Sequence, residues 1–297
     1  MLINKAVLTQ IFTNIKATFN KAFDAAPSQW QKIAMRVNST TSVEDYAWLN
    51  NFPKMREWIG EKFVKSLETN KYSLKNKPYE ATVEILRDNI EDDQLGFIGP
   101  QAQGAGFAAK QWPDELVFDA VNQGTSTICH DGQYFFDTDH PVGDTSVSNK
   151  YNLTLDISTQ AAAKASYGAV RTAMKSQKDE EGRPLNVNPN ILLVSTNLED
   201  TANALMTVDR LEDGKPNLYK GTAEVVVVPW LTDNTWYLLD TTKPVKPFVF
   251  QERKKPMMVS QTDMSSDDVF NKGVYKFGAE ARGAAGYGFW QLAFKGK

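Results

Sequence analysis

Thr125 to Asn149 holds the chain's single cysteine and both of its histidines, beside several aspartates: Cys129, His130, Asp131, Asp137, Asp139 and His140. Sulfur, nitrogen and oxygen donors together are what a tetrahedral zinc site uses. A cysteine near a histidine is also what a thiolate nucleophile needs. The spacing supports neither use. There is no second cysteine, and no His-x3-His or Cys-x2-Cys pair. No loop offers oxyanion donors and no third group can be named to orient the base. The same residues read more simply as architecture. Asp131-Gly132 is a strong hairpin turn between Ile128 and the run Tyr134 to Phe136. Asp139-His140-Pro141 reads as a turn exit in which Asp139 bonds backbone N–H groups. The expectation is a structural hairpin, with no catalytic residue, no metal and no cofactor. The rival reading is a cytosolic metal-dependent hydrolase using Cys129, Asp139 and His140.

Other signatures of chemistry are missing. Gly104-Ala105-Gly106 lacks the Lys-Ser/Thr sequel and the strand context of a phosphate loop. No Gly-x-Ser-x-Gly occurs. The acids from Asp263 to Asp268 lack the glycine and the terminal glutamate of a calcium loop.

The elements that must position the hairpin are legible by period. Tyr79, Ala81, Val83 and Ile85 alternate as in a strand. A long helix is predicted from Pro100, a first-turn residue, to Gly124, a stop. Trp112, Leu116, Val117, Ala120 and Val121 form its apolar stripe, and Pro113 should kink or split it. At 1.5 Å per residue such a helix is about 35 Å long, a rod on which other elements can hang. Before it, Met1 to Phe23 is an amphipathic helix with Val7, Leu8, Ile11, Phe12, Ile15, Phe19 and Phe23 on one face. That face packs either on its own chain or on a neighbouring subunit. Short strands are predicted at Ile33 to Val37 and Ala47 to Leu49.

From Ser158 the texture changes. Ser158 caps a predicted helix with Ala162, Ala165, Ala169, Val170 and Met174 inward. Ile191 to Val194 is an unbroken apolar run, as in a strand buried on both faces. Thr196 with Glu199 suggests a capping box for a short helix through Met206. Ala223 to Val228 reads as a second buried strand, joined to Trp236–Leu239 by a hairpin-like turn. Together these make an α/β lobe, roughly Asp156 to Asp240, inserted into the rest. Strands return at Phe248–Phe250 and Pro256–Val259, and the aromatic, glycine-rich segment Val274 to Phe294 should pair with the strand beginning near Tyr79.

Charge is unevenly spread. Phe52 to Lys77 carries seven bases against three acids, a net +4, and Glu80 to Asp93 carries six acids against one base, a net −5. The apolar register moves by one across Pro78, as in a β-ribbon leaving the body at a bend. The expectation is that Lys62, Lys65, Lys71 and Lys75 of one subunit face Glu84, Asp88, Asp92 and Asp93 of the next. The whole chain has 297 residues, 41% of them hydrophobic, enough for a large core in one or two domains. Its net charge of −3 excludes a strong basic field for gripping nucleic acid. One cysteine excludes an internal disulfide. No apolar run approaches the roughly 20 residues of a membrane span. Asn4, Lys5, Thr9 and Gln10 interrupt any signal-peptide core.

Four stretches, in order, resemble the Mu-like major head subunit (gpT) family of tailed-phage capsid proteins. They are Asp92-Asp93-Gln94-Leu95-Gly96; the helix end Leu116-Val117-Phe118; Asp131-Gly132-Gln133-Tyr134-Phe135-Phe136 followed by Asp139-His140-Pro141; and Gly278-Ala279-Glu280-Ala281-Arg282-Gly283 with Gly286-Tyr287-Gly288-Phe289-Trp290-Gln291. The resemblance spans nearly the whole chain. It implies an α+β fold of the Hong Kong 97 type. Residues 1–30 would be an N-terminal arm, 50–78 an extended E-loop and 155–244 an axial domain. The peripheral domain would comprise 31–49, 79–154 with its spine helix, and 245–297. The implied function is a major capsid protein that assembles as pentamers and hexamers of an icosahedral shell around double-stranded DNA. The implied location is the virion, with assembly in the bacterial host cytoplasm. No scaffold-like extension precedes the arm, so a separate scaffolding protein is implied, with a portal and a decoration protein as further partners and no membrane. Another virion component, such as a tail-tube or decoration protein, is the alternative within the same class. Hinges are expected near Pro78, Asp156 and Pro244 to Pro247.

Overall fold

The computed structural model describes residues 5–46, 49, 72–91, 96, 98–232, 234–263 and 266–297. In chain order it contains α1 (Lys5–Ala25), α2 (Trp30–Ile33), β1 (Ala34–Asn38), β2 (Val43–Asp45), β3 (Ser73–Lys75), β4 (Lys77–Leu86), α3 (Arg87–Glu91) and α4 (Ile98–Asn122). Then come β5 (His140–Val142), β6 (Thr145–Val147), α5 (Gln160–Ala163), α6 (Ala169–Lys175), β7 (Ile191–Val194), α7 (Glu199–Thr207), β8 (Glu224–Val227) and β9 (Trp236–Leu239). The chain closes with β10 (Phe248–Gln261), α8 (Asp267–Lys272), β11 (Val274–Tyr287) and β12 (Ala293–Gly296).

The first sheet has the order β1-β10-β11-β4. β11 pairs antiparallel with β4, Ile85 opposite Tyr275, as the sequence predicts for the glycine-rich segment. Pro78 sits on β4, an edge strand, where a missing N–H breaks no ladder bond on the open side. Helices α1 and α4 cover one face. Leu8, Ile11, Phe12, Ile15 and Phe19 of α1 are buried, so its apolar face packs on its own chain. The contact is close because α4 presents Ala102, Gly106 and Ala109 there. A Cβ at Gly106 would lie 2.4 Å from the Phe19 carbonyl oxygen, so only glycine permits this approach.

Helix α4 runs through Pro113 without being split. Packing outweighs the lost hydrogen bond: Trp112, Val117, Phe118 and Val121 are buried in one cluster with Trp30, Phe135 and Phe250. The neighbouring carboxylate of Asp114 is also fully buried. Its Oδ1 accepts from the backbone N–H groups of Gln29 and Trp30, both at 2.7 Å, and so ties α2 to the rod.

The second sheet has the order β12-β9-β7-β8. Its central strands are buried on both faces because two clusters enclose it. Ile191, Leu193, Tyr237 and Leu239 face the α4 side. Leu192, Val194, Trp236 and Leu238 face Tyr167, Val170, Met174, Ala202 and Leu205. That is the physical origin of the unbroken apolar run.

Several local expectations change here. β9 does not form a hairpin with β8; it crosses over to pair antiparallel with β7 and with β12. β8 is a half-buried edge strand. The helix after Thr159 is capped by Thr159 and not Ser158, its Oγ1 accepting from the Ala162 N–H at 3.0 Å. A π-helical turn spans Lys164–Gly168; Val170 and Met174 beyond it are buried as expected, but Ala163 and Tyr167 are buried where Ala162 is half-buried and Ala165 and Ala169 are exposed. No side-chain capping bond forms at Thr196; that turn is 3-10 and leads into α7. Strand β2, which pairs with β3, was not foreseen. Of Ala47 to Leu49, read as a strand, Ala47 and Trp48 lie outside the described residues. No helix among the described residues is long and apolar enough to cross a membrane.

Candidate functional site

The hairpin after α4 forms as its turn chemistry requires. Ile128 bridges Tyr134, and Gly132 adopts a φ of +90°, which a side chain would strain. Beneath it lies a polar cluster. Asp131 Oδ1 accepts from the Cys129 thiol at 3.0 Å and from the Gln133 N–H at 3.0 Å. Asp131 Oδ2 lies 2.7 Å from His140 Nδ1. His140 Nε2 lies 3.2 Å from Asn149 Oδ1, and its ring stacks on Trp290 with centroids 4.0 Å apart. Asn149 is fully buried and turns its amide the other way. Its Nδ2 donates to the carbonyls of Phe135 at 2.7 Å, Ala293 at 3.1 Å and Trp290 at 3.4 Å. The cluster therefore fastens the hairpin to the C-terminal strand of the second sheet.

This geometry does not suit nucleophilic chemistry. Burial pushes the Cys129 thiol up, and the Asp131 charge beside it pushes it further, the reverse of what a reactive cysteine needs. Burial alone would raise Asp131, but hydrogen bonds from His140 and Cys129 outweigh it and hold it at about 2. Burial lowers His130 to about 4. Cys129, Asp131 and His140 do bring three donor atoms within 4.8 Å. Each of those atoms is already satisfied by another member of the cluster.

The hydrolase reading placed Asp139 here, and the structure corrects it. Asp139 is exposed and lies just before β5, whereas His140, the first residue of β5, is buried. Asp131 occupies the position instead. The turn-stabilising role expected of Asp139 falls to Asp137, whose carboxylate accepts from the N–H groups of Thr138 at 2.8 Å and Tyr134 at 3.3 Å. Asn149, the centre of the cluster, carried no signal in the sequence.

Of the charged residues expected to meet across subunits, Lys75, Glu84 and Asp88 are described, and all three are exposed. Glu84 has a partner in its own chain, Lys276 at 3.4 Å, which also pairs with Asp268 at 2.7 Å. Lys62, Lys65, Lys71, Asp92 and Asp93 lie outside the described residues.

The comparisons with known proteins point away from a catalytic site. The family model described as Mu-like prophage major head subunit gpT matches residues 8–161, 153–231 and 232–297. The chain belongs to this family. It is 33% identical over 293 residues to the major capsid protein of Escherichia phage Mu, covering 99% of this chain and 74% of that protein. It is 35% identical over 289 residues to the Mu-like prophage FluMu major head subunit of Haemophilus influenzae, covering 97% and 72%. Among solved structures, the procapsid of bacteriophage JBD30 matches with a TM-score of 0.63 and 31% identity, over 99% of this chain and 75% of that one. The head subunit is thus a major capsid protein, a structural component of the virion and not an enzyme. Its α+β fold is that of phage capsid proteins, and it works as one of many copies in an assembled shell. The Cys129–Asn149 cluster is part of its frame.

Proposed function

We propose that this head subunit follows the Hong Kong 97 plan, closing as pentamers and hexamers of an icosahedral shell around double-stranded DNA. Residues 1–30 act as the arm, 50–78 as the E-loop and 155–244 as the axial domain. Residues 31–49, 79–154 and 245–297 act as the peripheral domain, with α4 as its spine. Assembly takes place in the host cytoplasm with a scaffolding protein and a portal, and a decoration protein joins the outside.

One observation carries the contact scheme. The Tyr46 N–H donates to the Tyr72 carbonyl at 2.8 Å, so the two described residues on either side of the lysine-rich stretch meet. The lysine-rich composition of that stretch suits a contact with an acidic surface of a neighbour. The acids of the 80–93 stretch offer its complement. Each exposed pair contributes only ~0.2–1 kcal/mol, so the charges set register more than strength. The slight negative net charge suits a container in which duplex must slide. The test is charge reversal: Lys62→Glu, Lys65→Glu, Lys71→Glu and Lys75→Glu together, co-expressed with the scaffolding protein and viewed by electron microscopy. The expected result is a folded subunit by circular dichroism that no longer closes into shells. Normal shells from this variant would refute the contact scheme.

A further inference from the structure

Helix α1 and the first half of α4 lie side by side over the first sheet, and both lack acids. No aspartate or glutamate occurs from Lys5 to Phe23 or from Ile98 to Pro113. Acids make up 36 of the 297 residues, so about four would fall in these runs by composition alone. What the two helices expose instead is amide, hydroxyl and ammonium groups. Gln10, Thr13, Asn14, Lys16, Asn20 and Lys21 are exposed on α1, and Gln101 and Gln103 on α4. Lys110 Nζ lies 5.1 Å from the centre of the Phe23 ring, which holds a further charge at the seam between the helices. Beside α1 a groove of about 280 Å3 adds hydroxyls, those of Thr9, Thr13, Ser260 and Thr262, around Lys16. Exposed acids return only past these runs, at Asp24 and Glu115.

The opposite face of the sheet is built differently. Phe277 and Ala279 are buried on the helix side, so Lys276, Glu280 and Arg282 alternate to the far side. There Glu280 pairs with Lys254 at 2.7 Å, and Glu84 with Lys276 at 3.4 Å. Carboxylates on that side repel a polyanion; the helix side offers it only donors. Nor does the helix side resemble a protein-docking surface. Interfaces between proteins centre on apolar anchors, and among the large apolar side chains described on α1 and α4 only Phe107 is exposed, at 42%. We propose that the α1–α4 face lines the inside of the shell and meets the phosphate backbone of the enclosed duplex. This rests on the reading of a shell around double-stranded DNA. The cations on the face are Lys16, Lys21 and Lys110, set among neutral amide and hydroxyl donors. Such groups position a duplex through its phosphates without reading its sequence. So few charges per copy bind weakly and let go in salt, which suits duplex that must slide.

The test removes two charges from either face of the full chain. Lys16→Gln with Lys21→Gln alters the helix side. Lys254→Gln with Arg282→Gln alters the far side and changes the net charge by the same amount. Dissociated subunits, checked for folding by circular dichroism, are titrated with a fluorescent duplex of random sequence over a salt series. The first pair should weaken binding about tenfold or more and make the slope of log affinity against log salt shallower by about 2. The second pair should leave both close to the parent. Lys21→Gln alone, at an exposed position, replaces the first pair if that pair does not fold. Equal losses from the two faces, or no duplex binding by the parent at low salt, overturn the proposal. Asn14→Cys gives a second reading, Cys129 being buried. A bulky maleimide that does not enter closed shells should label it in dissociated subunits and broken shells only. Labelling in closed shells overturns the inward placement, and protection that survives breakage assigns the face to contact between copies instead. The titration needs no shell, so it judges this face apart from the reading of a shell around DNA.

Discussion

Asn149→Asp changes the central amide of the Cys129–His140 cluster with almost no change in volume. Nδ2 of Asn149 reaches three carbonyls, those of Phe135, Ala293 and Trp290, in a fully buried position. In the variant a carboxylate oxygen faces them. Each buried acceptor left without a donor costs about 1–3 kcal/mol, and uncompensated buried charge costs about 3–5 kcal/mol. These overlap, since one atom causes both, so the net loss expected near neutral pH is about 3–5 kcal/mol. The carboxyl escapes part of this by taking a proton, which raises its folded pKa above the unfolded value of about 3.9. Above that value the folded variant binds more protons than the unfolded one. Its stability relative to the parent therefore falls as pH rises from about 4 to about 7, and recovers in acid. Asn149→Ala has no charge, so its loss should be independent of pH over the same range. The assay is urea unfolding of dissociated subunits by tryptophan fluorescence, to which Trp290 contributes from its stack on His140. An Asn149→Asp subunit within about 1 kcal/mol of the parent near pH 7, or a deficit that does not change with pH, would refute the reasoning.

Two further outcomes are expected. Burial holds His130 at about 4 in the folded chain against about 6.5 unfolded. Its contribution is fully present above about pH 6.5 and is lost as pH falls towards 4, on the order of 3 kcal/mol in all. His130→Gln should flatten the urea midpoint over that window, and an unchanged slope would show that His130 does not titrate as described. At Gly106 an added methyl group meets the Phe19 carbonyl at 2.4 Å. Gly106→Ala should therefore push α1 off α4 at a loss of about 1–3 kcal/mol. Hydrogen exchange should quicken in Lys5–Ala25 and leave β7 and β9 unchanged; uniform protection would argue against this docking of α1.

The chain's regular elements were legible where one face is buried over several turns. The stripe of α4, the apolar face of α1, the strand at Tyr79 and the doubly buried run at Ile191 each follow from a local period, which survives in any tertiary setting that buries it. The family was legible too, because its words are short local runs in a fixed order. Where a local irregularity intervenes, period misleads. Around the π turn at Lys164–Gly168, Ala165 and Ala169 are exposed and Tyr167 is buried, whereas Val170 and Met174 beyond it are buried as their period requires.

The site residues divide in the same way. The Asp131-Gly132 turn is a two-residue signal, and the sequence alone determined it. Which aspartate joins Cys129 and His140 was decided by the fold, which buries His140 and leaves Asp139 exposed while the turn brings Asp131 to the ring. Asn149 meets Ala293 across 144 positions, and Gln251 meets Tyr46 across 205. β12 joins β9, and β9 passes β8 to reach β7. No local pattern encodes such pairings. A polar side chain reads as solvent-facing until the fold brings its partner, and only the tertiary structure decides whether burial finds it a hydrogen bond.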